Sequence, residues 1–384
     1  MSVTSSSLLS AVVDHPLAPF GVSLEPDTDL LSALAAVPDP RARRGKRHQF
    51  VAVLALAVCA VLTGARSYQA IAEWARDLPP ALRRRLGVGR QVPCESTIRR
   101  VLQRTDADAL DQVISRWLAT RAGPEPALPV IAVDGKTARG ARTGDERAVH
   151  LLAALDTTDG TVLGQTVVDG KTNEVNAFAP LLDRVAITGA LITADALHTQ
   201  RAHVRYLVGR RAHYLLTVKG NQPTLHRQLI GLPWRQIPVA DKTTDHGHGR
   251  TEFRTLKHTT VTAGIGFPGA TTALQITRRR RSGAGRWHTE TIHAITDLDV
   301  RQASPAVLAD AVRAHWSIEN RLHWVRDVTF AEGLSQVRTG HGPAVMASLR
   351  NLAISLHRRA GHTNIAAACR HFSRDHRRLI PMLR

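Results

Sequence analysis

A chain of 384 residues, 43% of them hydrophobic, is long enough to bury more than one core and too apolar to be disordered. Lys and Arg number 51 against 32 Asp and Glu, and the formal charge of +19 favours a polyanionic partner, because each phosphate neutralised releases condensed counterions. Cys59, Cys94 and Cys369 form no CxxC pair and no disulfide framework, which argues for a reducing cytosol and against the secreted classes.

Residues 1–29 carry no sustained pattern and are expected to be poorly ordered. From 30 to 123 apolar residues recur at three- and four-residue steps, so a helical N-terminal domain is predicted. LLSALAAVPDP ends a short helix at Pro38, and basic RARRGKRHQ leads into the apolar run Phe50–Ala65. That run is too short and too Ala-rich to span a membrane and lies too far from the N-terminus for a signal peptide, so it reads as a buried helix. SYQAIAEWARDL, PPALRRRLG and ESTIRRVLQR follow. Glu95–Arg104 fits the second helix of a helix-turn-helix with Arg99 and Arg100 facing DNA, and fits equally an ordinary surface helix with a basic face.

Pro124, Glu125 and Pro126 mark a boundary, and the remaining 127–384 changes pattern. ALPVIAVDG is a buried strand, and VHLLAALDT and TVLGQTVV flank a hairpin turn at Thr158, Asp159 and Gly160. A helix in VNAFAPLLDRV, a strand in ALITADALH, a helix in QRAHVRYLVGRR and a strand in HYLLTVKG complete a mixed α/β sheet. Between about 234 and 300, TEFRTLKHTTV, TTALQITRRRR and RWHTETIHAITDL alternate polar and apolar residues, predicting a β-rich insertion with a hairpin at Ser282–Gly285. SPAVLADAVRAHWSIENRLHWVRDVTF and MASLRNLAISLHRRA are helical.

Three carboxylates have the placement of a metal site. Asp134 closes the first strand of the α/β section, Asp195 closes a later buried strand, and Glu319 lies in the long helix. A carboxylate at the end of an apolar strand is costly unless paired, and a metal ion is a common partner. Meeting at one sheet edge, the three acids can hold two Mg²⁺ about 3.5–4 Å apart for phosphoryl transfer. Each also has an ordinary reading. Asp134-Gly135 can be a turn, Asp195 a helix N-cap, and Glu319 a solvated residue paired with Arg313 or Arg326.

In this order along the chain, AVDGKTARGA, ITADALHTQ, LLTVKGNQP, HGRTEFR and RAHWSIENRLHWVRDVTFAEG resemble the H-repeat-associated transposases of bacterial insertion sequences. These belong to the DDE transposases, and the resemblance runs from roughly Leu30 to His357. It implies a ribonuclease-H-like mixed sheet, with the β-rich insertion between the second and third acids, preceded by a helical DNA-binding region. It further implies Asp134, Asp195 and Glu319 as catalytic and metal-binding acids, Mg²⁺ or Mn²⁺ as cofactor, and His315, Trp316, His323 and Arg326 as contacts to the transposon end. The partner implied is double-stranded DNA, both the element's terminal inverted repeats and the target, bound in the cytoplasm by a homodimer or higher assembly. One departure shows: Glu332-Gly333 follows Phe330 where the family often has an acidic pair. Two rivals remain, a structure-selective nuclease with the same core and a domesticated copy that only binds DNA.

Other residues carry weaker signals. Lys136 suits a phosphate contact or an exposed place in a turn, and Lys219 suits a phosphate contact better than a purely structural role. His198 suits nucleophile steering, DNA binding or a local cap. The run Arg278, Arg279, Arg280 and Arg281 suits a DNA clamp or a solvated hairpin tip. Trp316 and Trp324, eight apart, fit core packing better than base stacking. His246 and His248 lack the cysteine pair or HExxH that a zinc site would need. DNA binding is expected to weaken steeply with salt, log K falling with log salt by about 0.9 per phosphate contacted. A titration showing equal affinity at low and moderate salt would refute this electrostatic account.

Overall fold

The protein is described by a computed structural model over residues 25, 28–43, 46–124, 126–142, 148–168, 173–247, 249–261 and 264–384. Most of the segment 1–29, Glu125 of the expected boundary, and His248 lie outside the described residues. Before the first strand the described chain is helical: α1 (Leu30–Leu34), α2 (Phe50–Leu62), α3 (Tyr68–Asp77), α4 (Pro80–Arg85), α5 (Glu95–Arg104) and α6 (Ala107–Ala119). Asp29, Ser67 and Asp106 start α1, α3 and α6 by accepting hydrogen bonds from first-turn amides, the usual N-cap device. In α2 every residue except Val51 is buried, so a helix apolar all round sits at the centre of a core, as its composition requires. Among the described residues no helix is long and apolar enough to cross a membrane.

The α/β section follows with β1 (Val130–Thr137), β2 (His150–Asp156), β3 (Val162–Val168), α7 (Glu174–Leu182), β4 (Leu191–Ala194), α8 (Arg201–Gly209), β5 (His213–Val218) and α9 (Pro223–Ile230). Next come β6 (Asp241–Gly247), β7 (Arg250–Thr260), β8 (Thr272–Ser282) and β9 (His288–Thr296), then α10 (Pro305–His315), a π-helical turn over Glu319–His323, α11 (Trp324–Val328), α12 (Gly342–Arg359) and α13 (Ile365–Arg374). The strands form one sheet in the order β3-β2-β1-β4-β5-β9-β8-β7-β6. The first three are an antiparallel meander, β4 and β5 run parallel to β1, and β9 returns antiparallel to β5. This is the ribonuclease-H-like mixed sheet.

The β-rich segment is therefore no separate layer, because β7, β8 and β9 extend the same sheet outward from β5. Its edge strand β6 was not foreseen. DKTTDHG has no buried residue and hence no apolar alternation to betray it, and its charges suit an unpaired edge.

Side chains alternate across the sheet. Ala132, Leu151, Ala153 and Leu155 enter a core with α1–α6 and α12, while Ile131, Val133, Leu152 and Ala154 enter a second core beneath α7–α9. A buried polar chain crosses the first of these cores. Asp111 of α6 accepts hydrogen bonds from Gln165 N at 2.7 Å and from Ser348 Oγ at 3.2 Å. Gln165 Oε1 in turn accepts from Arg326 Nη1 at 2.9 Å and Asn351 Nδ2 at 3.0 Å. Arg326 donates to both oxygens of Glu332 at 2.7 and 2.6 Å, and Arg350 adds a bond at 3.2 Å.

Burial pushes the Asp111 carboxyl up to about 7, against the opposing pull of the bonds from Gln165 and Ser348. A folded-state value above the unfolded one (about 3.9) means the folded chain keeps a proton that the unfolded chain releases. The stability that goes with that proton is complete below pH of about 4 and is lost as pH rises through about 7. Asp111→Asn keeps the acceptor without the titration. Relative to wild type it should gain roughly 2–3 kcal/mol between pH 5 and pH 8 in denaturant melts. Parallel pH profiles for the two proteins would show that Asp111 does not titrate this way.

Candidate active site

The sheet positions the first two acids. Pairing of β1 with β4 stops at Val133↔Ala194, whereas pairing with β2 continues to Thr137. Asp134 therefore does not close its strand, as the sequence suggested, but is the first residue beyond the β4 ladder. Asp195 follows β4 directly and caps a short 3₁₀ turn, Ala196–His198, accepting from Leu197 N at 2.9 Å. The N-cap reading of Asp195 holds, and it leaves the second carboxylate oxygen available. The two aspartates thus follow the last paired residues of adjacent parallel strands.

Glu319 opens the π-helical turn, a one-turn widening often found where a helix carries function. It pairs with neither Arg313 nor Arg326. Instead its Oε2 lies 3.0 Å from His323 Nδ1, which is also 3.6 Å from Asp134 Oδ2. His323 is 2% exposed, and donor atoms of Asp134, Glu319 and His323 all lie within 4.8 Å of one another. Asp195 is outside that group but close enough to act on it electrostatically. Burial raises the pKa of Asp134, His323 opposes this, and the charges of Asp195 and Glu174 raise it further. The hydrogen bond from His323 holds Glu319 below the usual carboxylate range, with Lys136 contributing. Carboxylates facing one another across a half-buried gap, with a ring nitrogen between them, form a donor set suited to a divalent cation.

A further acid lies behind this group. Asp134 and Lys136 face the helical core, so Gly135 between them faces α7. A Cβ at Gly135 would collide with the carboxylate of Glu174 at the start of α7. Glu174 Oε1 meets His150 Nε2 at 2.6 Å, and Oε2 meets His198 Nε2 at 3.3 Å. Bonds from these two histidines hold Glu174 at about 2. His150 also bonds Thr137 Oγ1 at 2.8 Å, while His198 ends the turn that Asp195 caps. Glu174 thus ties together the segments carrying both aspartates. The sequence reading missed it because an acid in the first turn of a helix is ordinary. The glycine after Asp134 was the available signal. His198, weighed as a nucleophile guide, is fully buried against Phe178 and serves Glu174.

The expected DNA contacts divide by burial. Arg326 is 0% exposed and clamped to Glu332 and Gln165, so it has no face for DNA. His323 is equally enclosed, between the acids. His315 is half-buried against Thr193 Oγ1, and burial pushes it down to about 4, which leaves it neutral. Lys136 is shielded and bonded to Asp327 at 2.6 Å. Lys219 is exposed just past β5, the strand beside the one that leads to Asp195. Trp316 and Trp324 are 58% and 55% exposed, contrary to the packing expectation, because this stretch buries Ile318, Leu322 and Val325 instead. Arg99 is held by Glu95 at 3.1 Å and Arg100 bonds Ser96 O. Arg278 is engaged by Glu252, Arg279 and Arg280 are exposed, and Arg279 and Arg281 stack on Trp287.

Residues 31–118 match a family described as DDE_Tnp_1-associated, and residues 125–356 match one described as Transposase DDE domain. A protein of Escherichia coli O157:H7 named "Putative transposase YncI" is 29% identical over 347 residues, 85% of this chain and 86% of that one. "H repeat-associated putative transposase YhhI" of Escherichia coli K12 is 25% identical over 339 residues, 85% of this chain and 89% of its own. A cryo-EM structure of the piggyBac transposase synaptic complex with hairpin DNA is a distant likeness, with TM-score 0.42 and 10% identity over 91% of this chain and 79% of that chain.

Gly135→Ala is expected to force the Glu174 carboxylate from its place and, through loss of its bonds to His150 and His198, to destabilise the protein by about 1–3 kcal/mol. Gly209→Ala, with open space at its Cβ, should leave the melting temperature unchanged or slightly raised. Identical melting of the two variants would contradict the contact.

Proposed function

The chain belongs to the DDE transposases, and on that premise we propose that Asp134, Asp195 and Glu319 are the acids that hold its divalent metal. It is a transposase, an enzyme that cleaves DNA and transfers strands, and enzymes of this family work with divalent metal ions. One observation carries the assignment of residues: carboxylates of Asp134 and Glu319, from elements far apart in the chain, converge on one imidazole nitrogen. Asp195 supports it from the neighbouring strand, through the charge it exerts on Asp134. The carboxylates favour Mg²⁺ or Mn²⁺, and two ions are the number expected for in-line displacement at phosphorus. Such ions would activate the attacking oxygen and stabilise the leaving one.

The chain's own residues bind and orient. His323 fixes the Glu319 carboxylate, and Lys136, anchored by Asp327, adds a positive charge beside it. Lys219 offers an ammonium to a phosphate beyond the end of β5, and Arg279 and Arg280 offer more along the outer end of β8. Trp316 and Trp324, on either side of Glu319 in the chain, present exposed rings to the terminal inverted repeat. The acting form is a homodimer or higher assembly on paired element ends, working in the cytoplasm, where its cysteines remain free.

Glu319→Gln keeps size and can still accept the bond from His323, but removes the charge. The variant should fold, bind its terminal repeats as wild type does, and lose metal-dependent cleavage by about a thousandfold or more. Near-normal cleavage would remove Glu319 from the site.

A further inference from the structure

We propose that His323 is itself a metal ligand, so that the ion is held by a nitrogen as well as by carboxylates. The inference rests on the metal reading of Asp134 and Glu319 and adds a donor that reading does not contain. Spacing supports it first. Neighbouring ligands on a six-coordinate ion with bonds of about 2.1 Å stand about 3 Å apart, and opposite ones about 4.2 Å. Nδ1 lies 3.0 Å from Glu319 Oε2 and 3.6 Å from Asp134 Oδ2, and all three donors fall within 4.8 Å. One ion fits among them with side-chain adjustments of a few tenths of an ångström. Asp195 is not in this group, so among these atoms the imidazole is the third donor beside the two carboxylates.

Placement supports it next. Glu319 and His323 are the two ends of one π-helical turn, whose buried Leu322 and neighbouring Val325 anchor it in the core. At 2% exposure the ring cannot swing to solvent, so its Nδ1 stays aimed at the acids. Without an ion, two carboxylates compete for a single Nδ1 proton, and Asp134 is left at 3.6 Å, beyond hydrogen-bond range. Ion binding replaces the Nδ1–H···O bond with a metal–nitrogen bond. With Nδ1 on the ion, the ring's proton sits on Nε2, an atom that is buried with no hydrogen-bond partner among the described residues, so no bond is broken there. A mixed nitrogen and oxygen set favours Mn²⁺ over Mg²⁺, since imidazole suits later and softer ions.

The test uses the full chain with Mn²⁺ and no DNA. Pulsed EPR of wild type should show a directly bound nitrogen whose coupling changes when histidine is isotope-labelled. His323→Gln should abolish that coupling and weaken Mn²⁺ binding, read by calorimetry, by about tenfold or more, with a smaller effect on Mg²⁺. Mn²⁺ that binds through Glu319, judged by its loss in Glu319→Gln, yet shows no nitrogen coupling overturns the proposal while leaving the carboxylate site standing. Mn²⁺ binding indifferent to Glu319→Gln overturns both. If His323→Gln does not fold, the coupling is followed in His150→Gln, His198→Gln and His315→Gln. Retention in all three leaves His323 as the source among these four histidines around the acids, and loss in any one assigns the nitrogen elsewhere.

Discussion

Glu332 has almost no access to water, and two guanidinium groups hold it there. Arg326 grips it with two bonds and Arg350 with a third, and all three residues are at most 2% exposed. Burial alone would raise the Glu332 pKa, but the two arginines outweigh it and keep the carboxyl at about 2. Such a trio gains little over a well-packed apolar core, but loss of one member leaves a bare buried charge at a cost of about 3–5 kcal/mol. Its value is positional. Ala331, in the left-handed region at φ 50°, turns the chain so that Glu332 comes back beneath Arg326. Gln165 carries the link to β3, Asn351 and Ser348 carry it to α12, and Asp111 carries it to α6. The segment that bears Glu319 is thereby fixed to the sheet that bears the two aspartates.

The strand beside it works by parity. Because neighbours on a strand face opposite ways, β1 sends Asp134 and Lys136 toward the Glu319 turn and leaves the bare backbone of Gly135 facing α7. Glu174 fills that space, and its two histidines reach β2 and the turn capped by Asp195. One acid-glycine-lysine string thus serves two layers at once: it faces the Glu319 turn on one side and braces the backbone on the other.

Much of this was legible in the sequence. An unbroken apolar run placed α2, and periodicity placed the β1–β5 alternation and the three strands β7–β9, because each strand buries a regular set of side chains. The three acids were proposed from motif strings rather than from spacing. That Asp134 and Glu319 share a neighbour is a long-range fact which no local pattern encodes. The arginine and histidine near Glu319 were misplaced for a related reason. In a strongly basic chain, Arg326 and His323 look like DNA contacts, and only the tertiary arrangement shows Glu332 beneath one and carboxylates around the other. β6 was invisible because both its faces meet water. Eight-residue spacing favoured packing over stacking for Trp316 and Trp324, while the stripe that is buried runs through Ile318, Leu322 and Val325, which leaves Trp316 exposed as the resemblance implied.

The core around α2 is finished late. Helix α12 packs directly on α2 and α6, and its residues Val345, Met346, Leu349 and Leu352 belong to the same apolar cluster as Val53, Leu56 and Val61. Roughly 300 residues of synthesis separate the two helices, about 15–60 s at ribosomal speeds of 5–20 residues per second. During that interval the flank of α2 that α12 will cover has no cognate surface, and α2 is apolar on every side. The nascent chain, rather than the finished enzyme, is the form most open to aggregation and to proteases.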